Sequence, residues 1–195
     1  TVPTAGAVGA TTATFTNNHA TNSGAFLYAL GQKADTGGGT AATVVGSATN
    51  NNAGGASVTF GLPSGVAAGD LILVEYLAGA STAATTDHVA KGWWDYGRTA
   101  VNSRSWGVYA RIYDPATPTG DYTLTMAASA YARWASVAVR GHGVSTSTDI
   151  QVGTSWLRGS NGGSQGPVIA PSITTPGPNR LTLAFFGEAS NATGT

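Results

Sequence analysis

The feature that most restricts this chain is the length and punctuation of its apolar runs. From Ala56 onward they are Ser57-Val58-Thr59-Phe60, Asp70 to Leu77, Ser105 to Tyr113, Asp121 to Met126, Arg133 to Arg140 and Arg180 to Phe186. Each is 4 to 9 residues long, rich in β-branched or aromatic residues, and bounded by Gly, Pro, Asn or Asp, which is the pattern of short strands. Apolar and polar residues alternate in Tyr122-Thr123-Leu124-Thr125-Met126, in Leu181-Thr182-Leu183 and from Trp134 to Val139, as half-buried antiparallel strands require. No segment carries a long apolar stripe at helical spacing; the Ala-rich stretch Met126 to Ala132 has room for one turn. Strands in succession with no helices between them predict an all-β fold, an antiparallel β-sandwich of jelly-roll type.

Composition divides the chain. Before Asp70 the charged residues are Lys33 and Asp35 alone, and the N-terminal part is dominated by Ala, Gly, Thr and Asn. It holds a loose strand candidate at Thr11 to Thr16 and an apolar cluster at Phe26, Leu27, Tyr28 and Leu30, with turn-prone runs at Gly37–Gly39 and Asn50–Asn52. Residues 1–40 are therefore expected to be an extended or strand-forming N-terminal arm, or the end of a preceding domain. Residues 41–195 are expected to be the sandwich.

Charge narrows the partners. Nine Lys and Arg offset nine Asp and Glu for a net charge of zero, which gives no cationic field for a nucleic-acid backbone or an anionic lipid surface. Charged residues are 9% of the chain, against about 25% in an ordinary globular domain. A surface of Thr, Ser, Asn and Gly suits a subunit covered by its neighbours, or an exported protein. No apolar run approaches the roughly 20 residues of a membrane helix, so membrane insertion is not expected. With no cysteine, thiol catalysis, disulfides and Cys-based metal sites are excluded.

The residues suited to catalysis are sparse. His19, His88 and His142 are not spaced as metal ligands, and Asp87-His88, adjacent on a loop, is expected to point its two side chains apart into solvent. Paired carboxylates for glycoside hydrolysis would have to come from Glu75, Asp95, Asp114, Asp121 and Glu188. Asp70, Asp114, Asp121 and Asp149 occupy turn or strand-entry positions. Glu75, inside an apolar strand, is expected to face outward or to pair with Arg111 or Arg140; Arg104, Arg111, Arg133 and Arg140 are expected on a solvated face. No phosphate loop, nucleophile elbow or calcium loop is present, so neither an enzymatic activity nor a cofactor is expected. Aromatic residues are more informative. Trp94 and Tyr96, beside Asp95 and Arg98, are the candidate contacts for a partner or a glycan, because flat rings flanked by hydrogen-bonding groups suit a sugar's apolar face and hydroxyl rim. Trp134 and Trp156 are expected to be structural. Asn191-Ala192-Thr193 fits the N-glycosylation pattern, which carries meaning only in a eukaryotic secretory pathway.

Seven segments in order carry a resemblance: Val58-Thr59-Phe60, Gly69-Asp70-Leu71-Ile72-Leu73-Val74, Gly92-Trp93, Gly107 to Ile112, Gly120 to Met126, Ala138-Val139-Arg140-Gly141 and Asn179 to Gly187. This order resembles a β-sandwich module of minor tail and fibre proteins from tailed phages of actinobacteria, which also occurs in secreted bacterial proteins. The likeness covers about residues 42–190. The module has Pro-Ala-Gly-Trp where this chain has Ala90-Lys91-Gly92-Trp93, and the resemblance implies a core place for Trp93. It also continues past its Phe-Phe-Gly with a tryptophan loop and closing strands. The resemblance thus implies that Leu181 to Phe186, otherwise an exposed apolar edge, is covered by strands beyond residue 195; N-terminal strands or another subunit are the alternatives. It implies a structural and adhesive virion protein, a minor tail or tail-fibre component that forms a homo-oligomer, binds other virion proteins and contacts the host envelope. A secreted carbohydrate-binding module or cell-surface adhesin, a capsid decoration or head-fibre protein, and lastly a hydrolase are the alternatives.

Overall fold

In the computed structural model, residues 7–8, 11–13, 20–30, 42–52, 54–80, 82–101, 104–152, 157–159, 168–170, 173–174 and 181–190 are described. Their strands are β1 (Ala7–Val8), β2 (Thr11–Ala13), β3 (Ala20–Leu30), β4 (Thr43–Asn52), β5 (Ser57–Thr59), β6 (Leu71–Ala78), β7 (Trp94–Val101), β8 (Arg104–Ile112), β9 (Thr123–Thr125), β10 (Ala132–Arg140), β11 (Ile150–Val152), β12 (Leu157–Gly159), β13 (Val168–Ala170), β14 (Ile173–Thr174) and β15 (Leu181–Ser190). Among the described residues, helix is confined to short 3-10 turns at Thr119–Tyr122 and Ser147–Asp149. The chain is all-β and every strand pair is antiparallel, as the alternating runs predict.

The chain forms two compact units, Ala34–Ser147 and a second made of Thr1–Lys33 with Thr148–Thr195. The described N-terminal strands pair with C-terminal ones.

In the central unit a five-stranded sheet runs β4-β10-β6-β8-β7, and a two-stranded ribbon pairs β5 with β9. Between them lies an aromatic core. Strand β6 contributes Ile72, Val74, Tyr76 and Ala78, β10 contributes Ala132 and Trp134, β8 contributes Tyr109, and the ribbon side contributes Val58, Phe60, Tyr122, Leu124 and Met126. Phe60 is the hub: its ring lies 5.6 Å from Trp93 and 6.1 Å from Trp134, both edge to face. Such contacts add about 0.5–1.5 kcal/mol each beyond burial. Strand β10 alternates as expected. Strand β6 is buried along its whole length, because Leu71, Leu73 and Leu77 are covered on the opposite face as well; its unbroken apolar sequence is the signature of a central strand. A bidentate ion pair fixes the entry to β6. The Asp70 carboxylate takes the Arg140 Nε and Nη2 hydrogens at 2.9 and 2.8 Å and the Ala67 amide at 2.7 Å.

In the other unit β3 is the organising strand. It pairs with β15 from Leu30↔Leu181 to Ala20↔Ser190 on one side and with β11 and β12 on the other. The apolar run Leu181 to Phe186 therefore finds a neighbour along one of its edges in the N-terminal part of the chain. Strands β1 and β14, and β2 and β13, form two further pairs. Trp156, His19 and Asn191–Thr193 lie outside the described residues.

Candidate functional site

The four candidate contacts sit on β7, at the edge of the five-stranded sheet. Pairing with β8 is regular from Val101 to Gly97, then slips by one residue between Gly97 and Asp95. This bulge redirects the side chains. Trp94 lies opposite Ala110 and Asp95 opposite Tyr109, so the two fall on opposite faces of the sheet. Neither Trp94 nor Tyr96 is fully exposed, and the Tyr96 hydroxyl donates to the Ser147 carbonyl at 2.8 Å. Asp95 and Arg98 come together, Arg98 Nε donating to Asp95 Oδ2 at 2.8 Å. The structure thus joins the two polar candidates and sends the two rings elsewhere.

Asp95 is also one end of a buried chain of hydrogen bonds. His88 Nε2 lies 3.1 Å from Asp95 Oδ2, and His88 Nδ1 lies 3.2 Å from Thr85 Oγ1. Thr85 Oγ1 is bonded in turn to the Tyr109 hydroxyl, and the Thr85 amide donates to the Tyr76 hydroxyl at 3.2 Å. An ionised carboxylate only accepts, so the imidazole carries its proton on Nε2 and accepts the Thr85 hydroxyl hydrogen at Nδ1. Tyr109 then donates to Thr85. The side-chain relay thus runs from Tyr109 through Thr85 and His88 to Asp95, and the Arg98 guanidinium closes the circuit by donating to the Thr85 carbonyl at 3.0 Å.

His88 is 4% exposed and its ring stacks on Tyr109 at 4.8 Å. It is therefore no solvated loop residue, and its partner is Asp95 across the bulge, not its neighbour Asp87. Burial lowers the His88 pKa, against the opposing pull of Asp95. Asp87 turns the other way, accepting the Thr125 amide and hydroxyl at 2.8 Å each and pairing with Lys91 at 2.9 Å. These bonds outweigh its desolvation and hold its pKa below the usual carboxylate range. A hydroxyl, an imidazole and a carboxylate in sequence have the makings of a nucleophilic triad. Thr85 is 0% exposed, however, with its oxygen enclosed between His88 and Tyr109. A substrate carbonyl has no approach to it, so the arrangement ties the Thr85–Gly92 loop to β7 and β8.

Two further polar residues lie inside, contrary to expectation. Arg111, whose register partner Ile72 is a core residue, places its guanidinium 5.3 Å from the Trp93 ring and 5.1 Å from Tyr122. It donates to the Lys91 carbonyl and the Thr117 hydroxyl, both at 3.1 Å. Aromatic faces supply the negative potential that a carboxylate would otherwise give. Trp93 itself is a core residue, as expected, 1% exposed and donating to the Asp121 carbonyl at 2.8 Å. Glu75 neither faces outward nor meets an arginine. It is buried on the face opposite the aromatic core and accepts the Trp106 indole hydrogen at 2.7 Å. Desolvation pushes its pKa up to about 8 against that bond, so it is a neutral acid at pH 7. Arg140 is engaged with Asp70, and Arg104 donates to the Gly79 carbonyl at 2.9 Å.

Among the described residues no group of three or more His, Asp and Glu is placed to hold a metal ion, and no helix is long and apolar enough to cross a membrane. No protein-family model, curated protein or solved structure matches this chain.

Of the residues in this network, only Asp95 and Arg98 are marked by the sequence as contacts. Asp87 beside His88 hides the true pairing, which depends on a one-residue bulge with no local signature other than Gly97. Thr85 carries no signal at all in a chain so rich in threonine.

Proposed function

We propose that this chain is a non-catalytic structural and adhesive protein of a tailed-phage virion, a minor tail or tail-fibre component. It assembles with copies of itself and with other virion proteins, and it meets the host envelope. One observation carries this reading: the motifs of the resemblance coincide with the contacts that hold the central unit together. The Gly-Asp before β6 and the Arg-Gly at the end of β10 supply the Asp70–Arg140 pair. The Gly-Trp motif supplies the core tryptophan, and the strand after Gly107 supplies Tyr109 and the Arg111 that covers that tryptophan. In this chain those segments are thus joined to one another by contact. The enclosure of Thr85 supports a non-catalytic role, and the scarcity of charge supports burial against neighbouring subunits, since few ions need be desolvated.

Immunogold electron microscopy of particles from the source of this sequence tests the proposal. Gold along the tail is the expected result. Gold on the head would favour the capsid-decoration reading, and particles free of label would contradict a virion role. The second reading, a secreted glycan-binding module or adhesin, draws its support from an exposed tyrosine at one end of the sheet.

A further inference from the structure

At the end of the central unit where β4 and β6 finish and β10 begins, three backbone segments border an open recess of about 330 Å³. Its walls are Gly54–Gly55, Gly79–Ala80 and Ser129–Tyr131. They are fixed to one another. The Gly79 amide donates to the Tyr131 carbonyl at 2.7 Å and the Ala130 amide to the Gly55 carbonyl at 2.9 Å. Arg104 and Ser105 hold the Gly79 and Ala80 carbonyls from strand β8 at 2.9 and 2.8 Å. The recess is therefore built on backbone secured from both sides, so little ordering is needed when a ligand enters.

Tyr131 stands at its rim and is 72% exposed, unlike the other described tyrosines of this unit, which are buried or half-buried. A large ring left in water needs a reason when its neighbours are glycine and alanine. Gly54 holds φ +97, and a Cβ there would lie 3.7 Å from the tyrosine ring. The positive φ is what favours glycine here. None of the residues that line it bears a charged side chain, and the neighbouring Arg104 guanidinium is held on the Gly79 carbonyl, which favours an uncharged ligand. The volume lies at the small end of the range for ligand pockets. Peptide groups, the Ser129 hydroxyl and one flat ring form the surface. Ring and polar groups together suit a neutral, hydroxylated six-membered ring, with C–H bonds on one face and hydroxyls around its edge.

We propose that this recess is a glycan subsite that takes one neutral pyranose unit, stacked on Tyr131 and hydrogen-bonded by Ser129 and the glycine-rich walls. The proposal deepens the adhesive part of the reading above and rests on it for its biological setting. It moves the sugar-binding surface away from Trp94 and Tyr96, whose rings are half-buried, to the opposite end of β6 from the Asp70–Arg140 pair.

The test is a titration of the full ¹⁵N-labelled chain with methyl glycosides of glucose, galactose, mannose and N-acetylglucosamine, with N-acetylneuraminic acid as the anionic control. At least one neutral glycoside is expected to shift the amides of 54–55, 79–80 and 129–131 with millimolar affinity, and the anion is expected to leave them unmoved. Tyr131→Ala should weaken that binding about tenfold, Tyr131→Phe should keep most of it, and Trp94→Ala should leave it unchanged. No shift in these amides with any of the four neutral glycosides at about 50 mM, beyond the weak-binding limit, would overturn the proposal. So would binding by Tyr131→Ala equal to the parent, or shifts centred on Trp94 and Tyr96. The two readings fail separately. A chain found in particles that binds none of the sugars sinks the subsite alone, whereas one that binds through Tyr131 but is absent from particles upholds the subsite and sinks the virion role.

Discussion

Glu75 and His88 are buried titratable residues whose pKa values move in opposite senses away from stability at the extremes of pH. The folded pKa of Glu75 is raised to about 8 from 4.5, so the folded state binds the extra proton. Its contribution is complete below pH 4.5 and is lost as pH rises through about 8. Glu75→Gln, which keeps an acceptor for Trp106, should be near neutral for stability at pH 5 and stabilising at pH 9 by up to roughly 4 kcal/mol. Urea unfolding of both proteins at the two pH values checks this; an equal difference at both would show that the carboxyl ionises freely in the fold. His88 has a lowered pKa, so its contribution is complete above 6.5 and fades as pH falls below it. Imidazole ¹⁵N spectra should show the Nε2–H form at pH 7. Asp95→Asn should lower the His88 pKa further, because Asp95 is the charge that opposes desolvation; a rise would refute the assigned circuit. Neither residue's place was legible in advance. Glu75 reads as outward-facing only if β6 is an edge strand or has one wet face, and the sequence does not say which strands cover the second face.

At the scale of elements, the sheet is held close by glycine. Gly107 of β8 lies opposite Tyr76 of β6, and the Tyr76 and Tyr109 rings stack across it at 5.6 Å. A Cβ at 107 would fall 2.1 Å from Tyr76 Cε1 and 2.7 Å from the Tyr109 hydroxyl. Gly107→Ala should therefore cost about 3 kcal/mol or more, since two buried rings on adjacent strands cannot both retreat. Phe60→Ala, which empties the hub, should cost about 3–5 kcal/mol. Chemical denaturation measures both, and a parental midpoint for either variant would mean that the core is not packed as described. Strands such as β6, β8, β9, β10 and β15 were legible because their segments alternate or are uniformly apolar, whereas β4, whose Asn50–Asn52 run reads as a turn, and β7, interrupted by Asp95 and Gly97, were not. Their partners were less so. The match of an 11-residue β3 to a 10-residue β15 joins segments more than a hundred residues apart, and backbone pairing over such a span leaves no local pattern.

For the whole molecule, what the sequence makes plain is the balance of charge. Interfaces formed by Thr-, Ala- and Gly-rich surfaces contain few ions to be screened, so the homo-oligomer expected of a fibre or tail component should persist from about 0.05 to 0.5 M salt. Light scattering after size exclusion should give a multiple of 19.4 kDa at both concentrations; a monomer at both, or dissociation by salt, would contradict assembly through uncharged faces. The most direct test of the central claim is sedimentation of particles through a density gradient, with peptide mass spectrometry across the fractions. A virion protein should peak with the particles and hold a fixed ratio to the major structural proteins through a second gradient. Recovery of the chain only from the soluble fractions, with none of its peptides in the particle band, would contradict the virion role and leave the secreted glycan-binding reading in its place.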